Sequence, residues 1–421
     1  MAQALYLLAP SSCLLGSHMR VFSINTVCGT GSTGTIVRDI ADMLLDQQHQ
    51  PLIAYGFGHA CNIDKSATYK IHSKADYYAH NLRARITDHT GLYSKGPTKK
   101  LIHRIKEFNP DLIHLHNIHG YYLNYEILFS YFKEAGIPVI WTIHDCWPFT
   151  GHCTHFSLAG CYQWQQQCYN CTQLKRYPKC YFAGDVYGNY LRKKEAFCNV
   201  PNLTLVTPSQ WLAEVVKSSF LKEYPVEVIP NGIDLEVFNS DSDVLKDKHG
   251  SNGKIRILGV ASHWNEAKGL YDFFKLSEKL DEKYQLYLVG LNNDQMKKKP
   301  SSVIALPRTS STQELVSYYS SADIFINLSY EETMGMTTVE AMACGTPVIV
   351  YNRTALPETL SEGCGEVVEA GNITAVVRAI ERISGSKADR KKILLLRASM
   401  FEKNRQYQKY LDLYKSVLYE M

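Results

Sequence analysis

Twice along this chain, short β-branched runs alternate with amphipathic helical stretches, and that alternation constrains the fold more than any other feature. Residues 21–26 form a β-rich run, the glycine-rich residues 29–34 follow, and a helical pattern runs from about Ile36 to Gln47. The periodicity then predicts strands over 52–55, 111–116, 138–144 and 203–207. Helices are predicted over 101–108, 125–135 and 210–220. Near residues 226–234 the run Val-Ile-Pro-Asn-Gly-Ile-Asp predicts a turn, and the alternation restarts. Strands are expected at 255–260, 285–289, 302–306, 324–328 and 347–350, separated by helices near 270–280, 313–320, 340–343 and 374–383. Such an order argues for parallel sheets covered by helices on both faces. We therefore expect two α/β, doubly wound, Rossmann-like domains, over 19–229 and 230–401, facing a central cleft. The helical segment 388–419 is expected to turn back, with about 402–421 packing on the first domain. Ligands in open sheets of this kind bind beyond the carboxyl ends of the strands.

Length agrees, since 421 residues exceed what a single core accommodates. With 45 basic against 41 acidic residues the net charge is only +4, so nucleic acid is not an expected partner. No apolar run approaches the ~18–20 residues needed to cross a bilayer. Residues 2–15 are apolar but lack a positive start, so no signal peptide is expected. Gly16-Ser17-His18-Met19 reads as a scar left by a cloning vector, which makes Met19 the expected native start and residues 1–18 an extension. Six of the twelve cysteines lie between Cys146 and Cys180. In a chain of this size they fit a large enzyme in a reducing, cytoplasmic compartment better than a secreted disulfide framework.

The most informative stretch chemically is 330–350. Glu332 and Glu340 stand eight residues apart around Gly335, followed by a short helix, Gly345-Thr346-Pro347 and an apolar run. Gly335 interrupts any earlier helix, so Glu332 is expected in a loop and Glu340 in a helix starting near Met336. The amides of Gly335, Met336 and Thr337 then lack helical partners, and a helix start with free N–H groups suits a phosphate. Carboxylates beside it suit the hydroxyls of a sugar or ribose. Together these features suggest a nucleotide-sugar site.

Other candidates surround that motif. Gly29, Gly31 and Gly34 match a dinucleotide fingerprint in spacing. The next strand, however, runs into Gly56-Phe57-Gly58 with no ribose-binding acid, which counts against NAD. An ordinary turn, or a loop admitting a phosphate or sugar, remains. Lys268-Gly269 follows the strand 255–260 and is read either as a partner for a diphosphate or as a solvated lysine. His114, His116, His119 and His144-Asp145 end strands; cleft histidines that bind an acceptor sugar are favoured over a metal cluster. Cys153, Cys161, Cys168 and Cys171, the last two as C-x-x-C, allow a structural zinc, a disulfide-stapled loop or free thiols. The basic stretch 83–106, with Tyr77, Tyr78 and Tyr93 nearby, is read either as a solvated face or as a contact for an anionic membrane.

With Glu332/Glu340, Lys268-Gly269, the turn Asn231-Gly232-Ile233-Asp234 and the glycine loop, the chain resembles the retaining glycosyltransferases of family 4, which have the GT-B fold of two facing Rossmann-like domains. Trp141 to Gly151 and the cysteine-rich loop after it look like a bacterial subgroup of colanic acid and surface polysaccharide synthesis. The resemblance implies a nucleoside-diphosphate sugar donor, UDP- or GDP-linked, a saccharide or lipid-linked acceptor, and no metal for catalysis. It implies hydroxyl recognition by Glu332 and ribose recognition by Glu340, with phosphate or sugar oxygens at Gly335, Met336 and Thr337. Lys268 would meet the diphosphate and Arg308 would lie where relatives hold the base. His144 would contact the donor sugar near the reacting carbon, making His144 and Glu332 the candidate catalytic pair. Gly31 and Ser32 fall to the donor side; His116, His119 and Asp145 to the acceptor side. The departures from the family pattern are Ser262, where many relatives carry an arginine six residues before the lysine, and Met334, in place of an aromatic residue. The first leaves Lys268, helped by Ser262 and His263, with more of the diphosphate; the second points to the donor-sugar pocket. Two other readings stand beside the transferase: a nucleotide-sugar epimerase or hydrolase on the same fold, and a non-catalytic nucleotide-sugar-binding partner.

Overall fold

The computed structural model describes residues 18–239 and 253–419; of the expected extension only His18 is among them. The first domain contains strands β1 (Arg20–Asn25), β2 (Gln50–Tyr55), β3 (Thr68–Lys70), β4 (Leu112–Leu115), β5 (Val139–Thr142), β6 (Leu203–Thr207) and β7 (Val226–Val228). Its helices are α1 (Gly31–Asp46), α2 (Lys74–Thr87), α3 (Lys95–Phe108), α4 (Tyr125–Ala135), α5 (Val186–Phe197) and α6 (Gln210–Lys217). The second domain starts with β8 (Ile255–Val260), α7 (Leu270–Lys279), β9 (Tyr284–Val289), α8 (Asn293–Lys298), β10 (Val303–Leu306) and α9 (Thr312–Ser321). It continues with β11 (Ile324–Asn327), α10 (Met336–Ala343), β12 (Val348–Tyr351), β13 (Gly365–Val368) and α11 (Ile373–Ile383). Helices α12 (Lys387–Ser399) and α13 (Lys403–Tyr419) close the chain.

The seven-stranded sheet runs β3-β2-β1-β4-β5-β6-β7 and the six-stranded sheet β10-β9-β8-β11-β12-β13. Neighbouring strands pair in parallel, with registers such as Ser23 beside His114 and Phe325 beside Val348. Strands β4, β5, β6, β11 and β12 are buried throughout, as a sheet covered on both faces requires. Each order reverses direction once, between β1 and β4 and again between β8 and β11. Loops leaving the two strands of such a switch point diverge, and the crevice they leave is where an α/β sheet binds its ligand.

Local chemistry explains most boundaries. Helix α4 starts where the Asn124 side chain accepts the Ile127 amide and stops at Gly136 with φ +66°. Helix α1 begins five residues before the expected Ile36, at Gly31. Its first turn holds Gly31, Ser32, Thr33 and Gly34, poor helix formers tolerated where the leading amides need no intrahelical partner. The helix expected over 388–419 is two. Ile233 donates its amide to Phe401 O (2.7 Å) and accepts from Lys403 N (2.9 Å), so the interdomain linker takes backbone groups at the break between α12 and α13. Beyond that break Tyr407, Tyr410, Leu411 and Tyr414 of α13 share a core with Val21, Ile36, Ile40 and Leu44 of the first domain. Each fully buried leucine there contributes about 1.5–3 kcal/mol.

Candidate active site at two switch points

In the second domain, the loop after β8 carries Ser262 and His263 on the surface and ends in a short 3-10 turn, Glu266–Lys268, capped by the Asn265 side chain. Gly269 has φ +71°, and a Cβ there would lie 2.2 Å from Leu328 O. Only glycine lets this loop press against the end of β11. Tyr330 fastens the other side, donating its amide to Ala267 O (2.8 Å) and its hydroxyl to Asp272 (2.6 Å). The result brings Lys268 Nζ within 2.6 Å of Glu332 Oε1. Three residues on, Gly335 (φ +87°) starts α10, leaving the half-buried Met336 and Thr337 in its first turn. Glu340, one turn further, accepts from the Tyr319 hydroxyl at 2.8 Å. Burial pushes its carboxyl up to about 7, partly offset by that hydrogen bond.

In the first domain, the Thr26 hydroxyl donates to Asn117 O (3.0 Å) and His119 O (3.1 Å), which ties the loop after β1 to the loop after β4. Gly31 and Ser32 lie exposed at the start of α1. His144 leaves β5 with Nε2 3.0 Å from His116 Nδ1. Burial pulls the His144 ring down to about 4 and the His116 ring well below its ordinary range. His119 Nε2 meets Asp145 Oδ2 at 2.7 Å, and Asp145 Oδ1 accepts the Trp147 amide at 2.9 Å. Burial works against the Asp145 carboxylate, but His119 and that amide hold it below the usual range.

The two halves meet through contacts that sequence reasoning missed. Leu158 N donates to Glu331 Oε1 (2.9 Å), and Arg176 reaches Glu331 (3.6 Å) and Glu266 (3.3 Å). Both residues come from the loop between β5 and α5. Glu358 accepts the amides of Gln210 (2.7 Å) and Trp211 (2.5 Å), capping α6 from the opposite domain. No local pattern announces pairs separated by 148 and 173 residues.

Several sequence expectations change. His116 is 1% exposed behind His144, so it lies out of reach of an acceptor. Met334 does not open onto a sugar pocket: it is buried, and its sulfur accepts the Asn231 amide of the linker at 3.0 Å. Arg308 stands exposed after β10. The four-thiolate zinc site is not formed: among the described residues, no three His, Cys, Asp or Glu side chains are placed to hold one metal. The loop packs around Phe156 and Trp164, whose rings stand 4.8 Å apart, with Cys153 and Cys168 in the same core. Cys153 hydrogen-bonds Cys171, and Cys168 packs against Gly151. The described cysteines are free thiols.

Residues 33–237 match the family described as Glycosyltransferase Family 4, and residues 241–394 match the Glycosyl transferases group 1 family. This chain belongs to the family 4 glycosyltransferases, with the GT-B fold. Among its relatives is WcaC of Escherichia coli (strain K12), named for colanic acid biosynthesis. It is 24% identical over 282 residues, covering 64% of this chain and 66% of that protein. The capsular polysaccharide biosynthesis glycosyltransferase CapM of Staphylococcus aureus is 23% identical, covering 48% of this chain and 57% of its own. The chain thus spans between half and two thirds of the length of these curated relatives. Anabaena HepE, solved in complex with UDP, superposes with a TM-score of 0.64 at 14% identity, covering 94% of this chain and 100% of HepE, and so shares the fold.

Proposed function

We propose that the chain transfers a sugar from a nucleoside-diphosphate donor to a saccharide or lipid-linked acceptor, with retention at the anomeric carbon, in bacterial surface polysaccharide synthesis. The observation that carries this reading is Lys268 Nζ 2.6 Å from Glu332 beside the open first turn of α10, at a switch point. A diphosphate bound there gains the lysine charge and the α10 amides, groups fixed before charge develops. Glu332 then takes sugar hydroxyls and Glu340 the ribose, while Arg308 lies toward the base. The bond from C1 to the diphosphate oxygen breaks, and the acceptor oxygen bonds C1 on the same face. The acceptor's proton passes to the departing phosphate oxygen, so no carboxylate acts as nucleophile. His144 lies beside the sugar, and His119 with Asp145 faces the acceptor. A UDP-linked donor fits the likeness to HepE, and GDP is the alternative base.

No helix among the described residues is long and apolar enough to cross a membrane. Helix α2 nevertheless exposes Tyr78, Leu82 and Ile86 at four-residue spacing, beside Arg83 and Arg85. That face suits peripheral contact with the anionic cytoplasmic leaflet, where a lipid-linked acceptor would reside. Incubation with a panel of UDP- and GDP-sugars, with the product linkage read by NMR, tests the whole proposal. An inverted anomeric centre would sink the mechanism. Tight UDP binding without turnover of any donor would favour a non-catalytic binding partner instead.

A further inference from the structure

Behind His144 lies a polar chain that the reaction does not use directly. His114, fully buried, has both ring nitrogens engaged: Nε2 with Thr142 Oγ1 at 2.8 Å and Nδ1 with the Tyr414 hydroxyl at 2.7 Å. Tyr410 of the same helix reaches Thr142 Oγ1 at 3.1 Å. The fixed His114 ring lies 4.0 Å, centroid to centroid, from the His116 ring, and Trp141 Nε1 donates to His116 O at 3.0 Å. The His116 and His144 rings are nearly coplanar, at 14°, with Nδ1 of the first and Nε2 of the second 3.0 Å apart. The His116 ring is therefore held between the fixed His114 ring and His144, with Nδ1 turned to His144.

Between two neutral rings this contact holds one proton, on one nitrogen or the other. Were it on His144 Nε2, His116 would carry its own proton on Nε2. His116 Nε2 is buried, and no described residue offers it a partner. A buried N–H without an acceptor is rarer and costlier than an idle acceptor nitrogen; a group stranded in this way costs about 1–3 kcal/mol. The proton thus belongs on His116 Nδ1, where it is shared with a lone pair of His144. We propose that His116 is a positioning residue that fixes His144 in its Nδ1–H form, so that His144 offers the sugar a hydrogen-bond donor and not a base. This rests on His144 being the residue beside the donor sugar. It fits a reaction in which the departing phosphate takes the acceptor's proton, because a histidine presenting a lone pair would compete for that proton.

Long-range ¹H–¹⁵N correlation spectra of ¹⁵N-histidine-labelled protein at pH 7 decide the matter, with the His144 signals assigned by their loss in His144→Gln. The expected result is Nδ1–H at His144 in the unmodified protein. His116→Asn, whose amide N–H2 falls near the position of Nδ1, should retain it, whereas His116→Phe should shift His144 toward the Nε2–H form. We expect kcat to fall about tenfold to a hundredfold in the Phe variant, the range seen for residues that orient metal-ligating histidines, with the donor KM little changed and kcat largely restored in Asn. An Nε2–H signal at His144 in the unmodified protein overturns the inference, even if the substituted chains fail to fold. Absence of sugar transfer with the Nδ1–H signal intact would instead overturn the proposed function and leave this assignment standing.

Discussion

At the ends of β4 and β5 the first domain gathers four imidazoles, His114, His116, His119 and His144, around one carboxylate, Asp145. At the ends of β8 and β11 the second gathers Lys268, Glu332 and Glu340 around the start of α10. The first cluster is packed so tightly that burial holds His114, His116 and His144 neutral. The second keeps Lys268 and Glu332 partly open to solvent, 32% and 18% exposed at the side chain. Charge thus stays accessible in the second cluster and is removed from the first, which under the proposed reaction puts it at the diphosphate and keeps it from the reacting sugar. If the proposed sugar transfer takes place beside His144, a cationic ring there would oppose a carbon acquiring oxocarbenium character, and burial keeps that ring neutral.

The largest effect that could break this division is at Lys268. Lys268→Ala should lower kcat/KM for the donor on the order of 10²–10³-fold, the scale of losing one fixed stabiliser of developing charge. Lys268→Arg should keep more activity than Ala, since it keeps the charge. Steady-state kinetics showing less than about a threefold loss in Lys268→Ala would put the diphosphate elsewhere.

Glu340 sharpens the comparison, because here the open domain also buries an acid. Its carboxyl is raised from 4.5 to about 7 by burial, so the unfolded chain binds fewer protons than the folded one between those values. Stability from this group therefore falls as pH rises through that window. The full penalty, on the order of 3 kcal/mol, applies above about pH 7. Glu340→Gln should recover much of it, giving a higher Tm at pH 8 and little change at pH 4. The same variant should raise the donor KM at least tenfold and remove any rise in KM between pH 8 and pH 6. A Tm gain equal at both pH values would mean that the carboxyl is not the source, and an unchanged KM would remove Glu340 from the donor site.

How much of this was legible in sequence depended on whether the signal was local. Strand β8 and helix α4 begin and end where periodicity and capping residues place them. Strands β3 and β13 are short and edge-lying, and α2 buries only His80 and Ala84, so none stood out from its surroundings. The acid pair and Lys268 were readable because a glycine, a helix start and a strand end fix them within a few residues. His116 was not, since alternation places a side chain on a face of a strand but does not say what covers it; here the His114 and His144 rings stand against it, and Tyr410 and Tyr414 reach His114 from some 300 residues away. The cysteine spacing permitted a metal site, but spacing does not fix side-chain placement, and no three of the described His, Cys, Asp or Glu side chains are placed to hold one.

A milder test asks whether the open domain depends on the closed one. Arg176→Ala removes ion pairs to Glu266 and Glu331, the neighbours in sequence of Lys268 and Glu332. Arg176 is 40% exposed at the side chain, so screening keeps its worth near that of a surface pair, about 0–1 kcal/mol. The expected outcome is a donor KM raised severalfold at low salt, with the difference shrinking as salt rises. A difference insensitive to salt would point to lost packing in place of lost charge.

The smallest effect expected is at Glu358, and it isolates the interdomain tie from the chemistry. Both carboxylate oxygens cap α6, accepting the amides of Gln210 and Trp211, while Ser209 serves the next amide, Leu212 N, at 3.3 Å. Ser209→Ala strips a cap supplied from within the first domain. Glu358→Ala strips two caps and a link between domains. Each should lower stability by about 0.5–2 kcal/mol, the usual worth of an N-cap. Only Glu358→Ala should also change the donor KM, because only that contact positions the donor half against the rest. Thermal denaturation alongside donor kinetics separates the two. Equal KM values in the two variants would show that the domains hold their relation through their other contacts, and that Glu358 does no more than finish a helix.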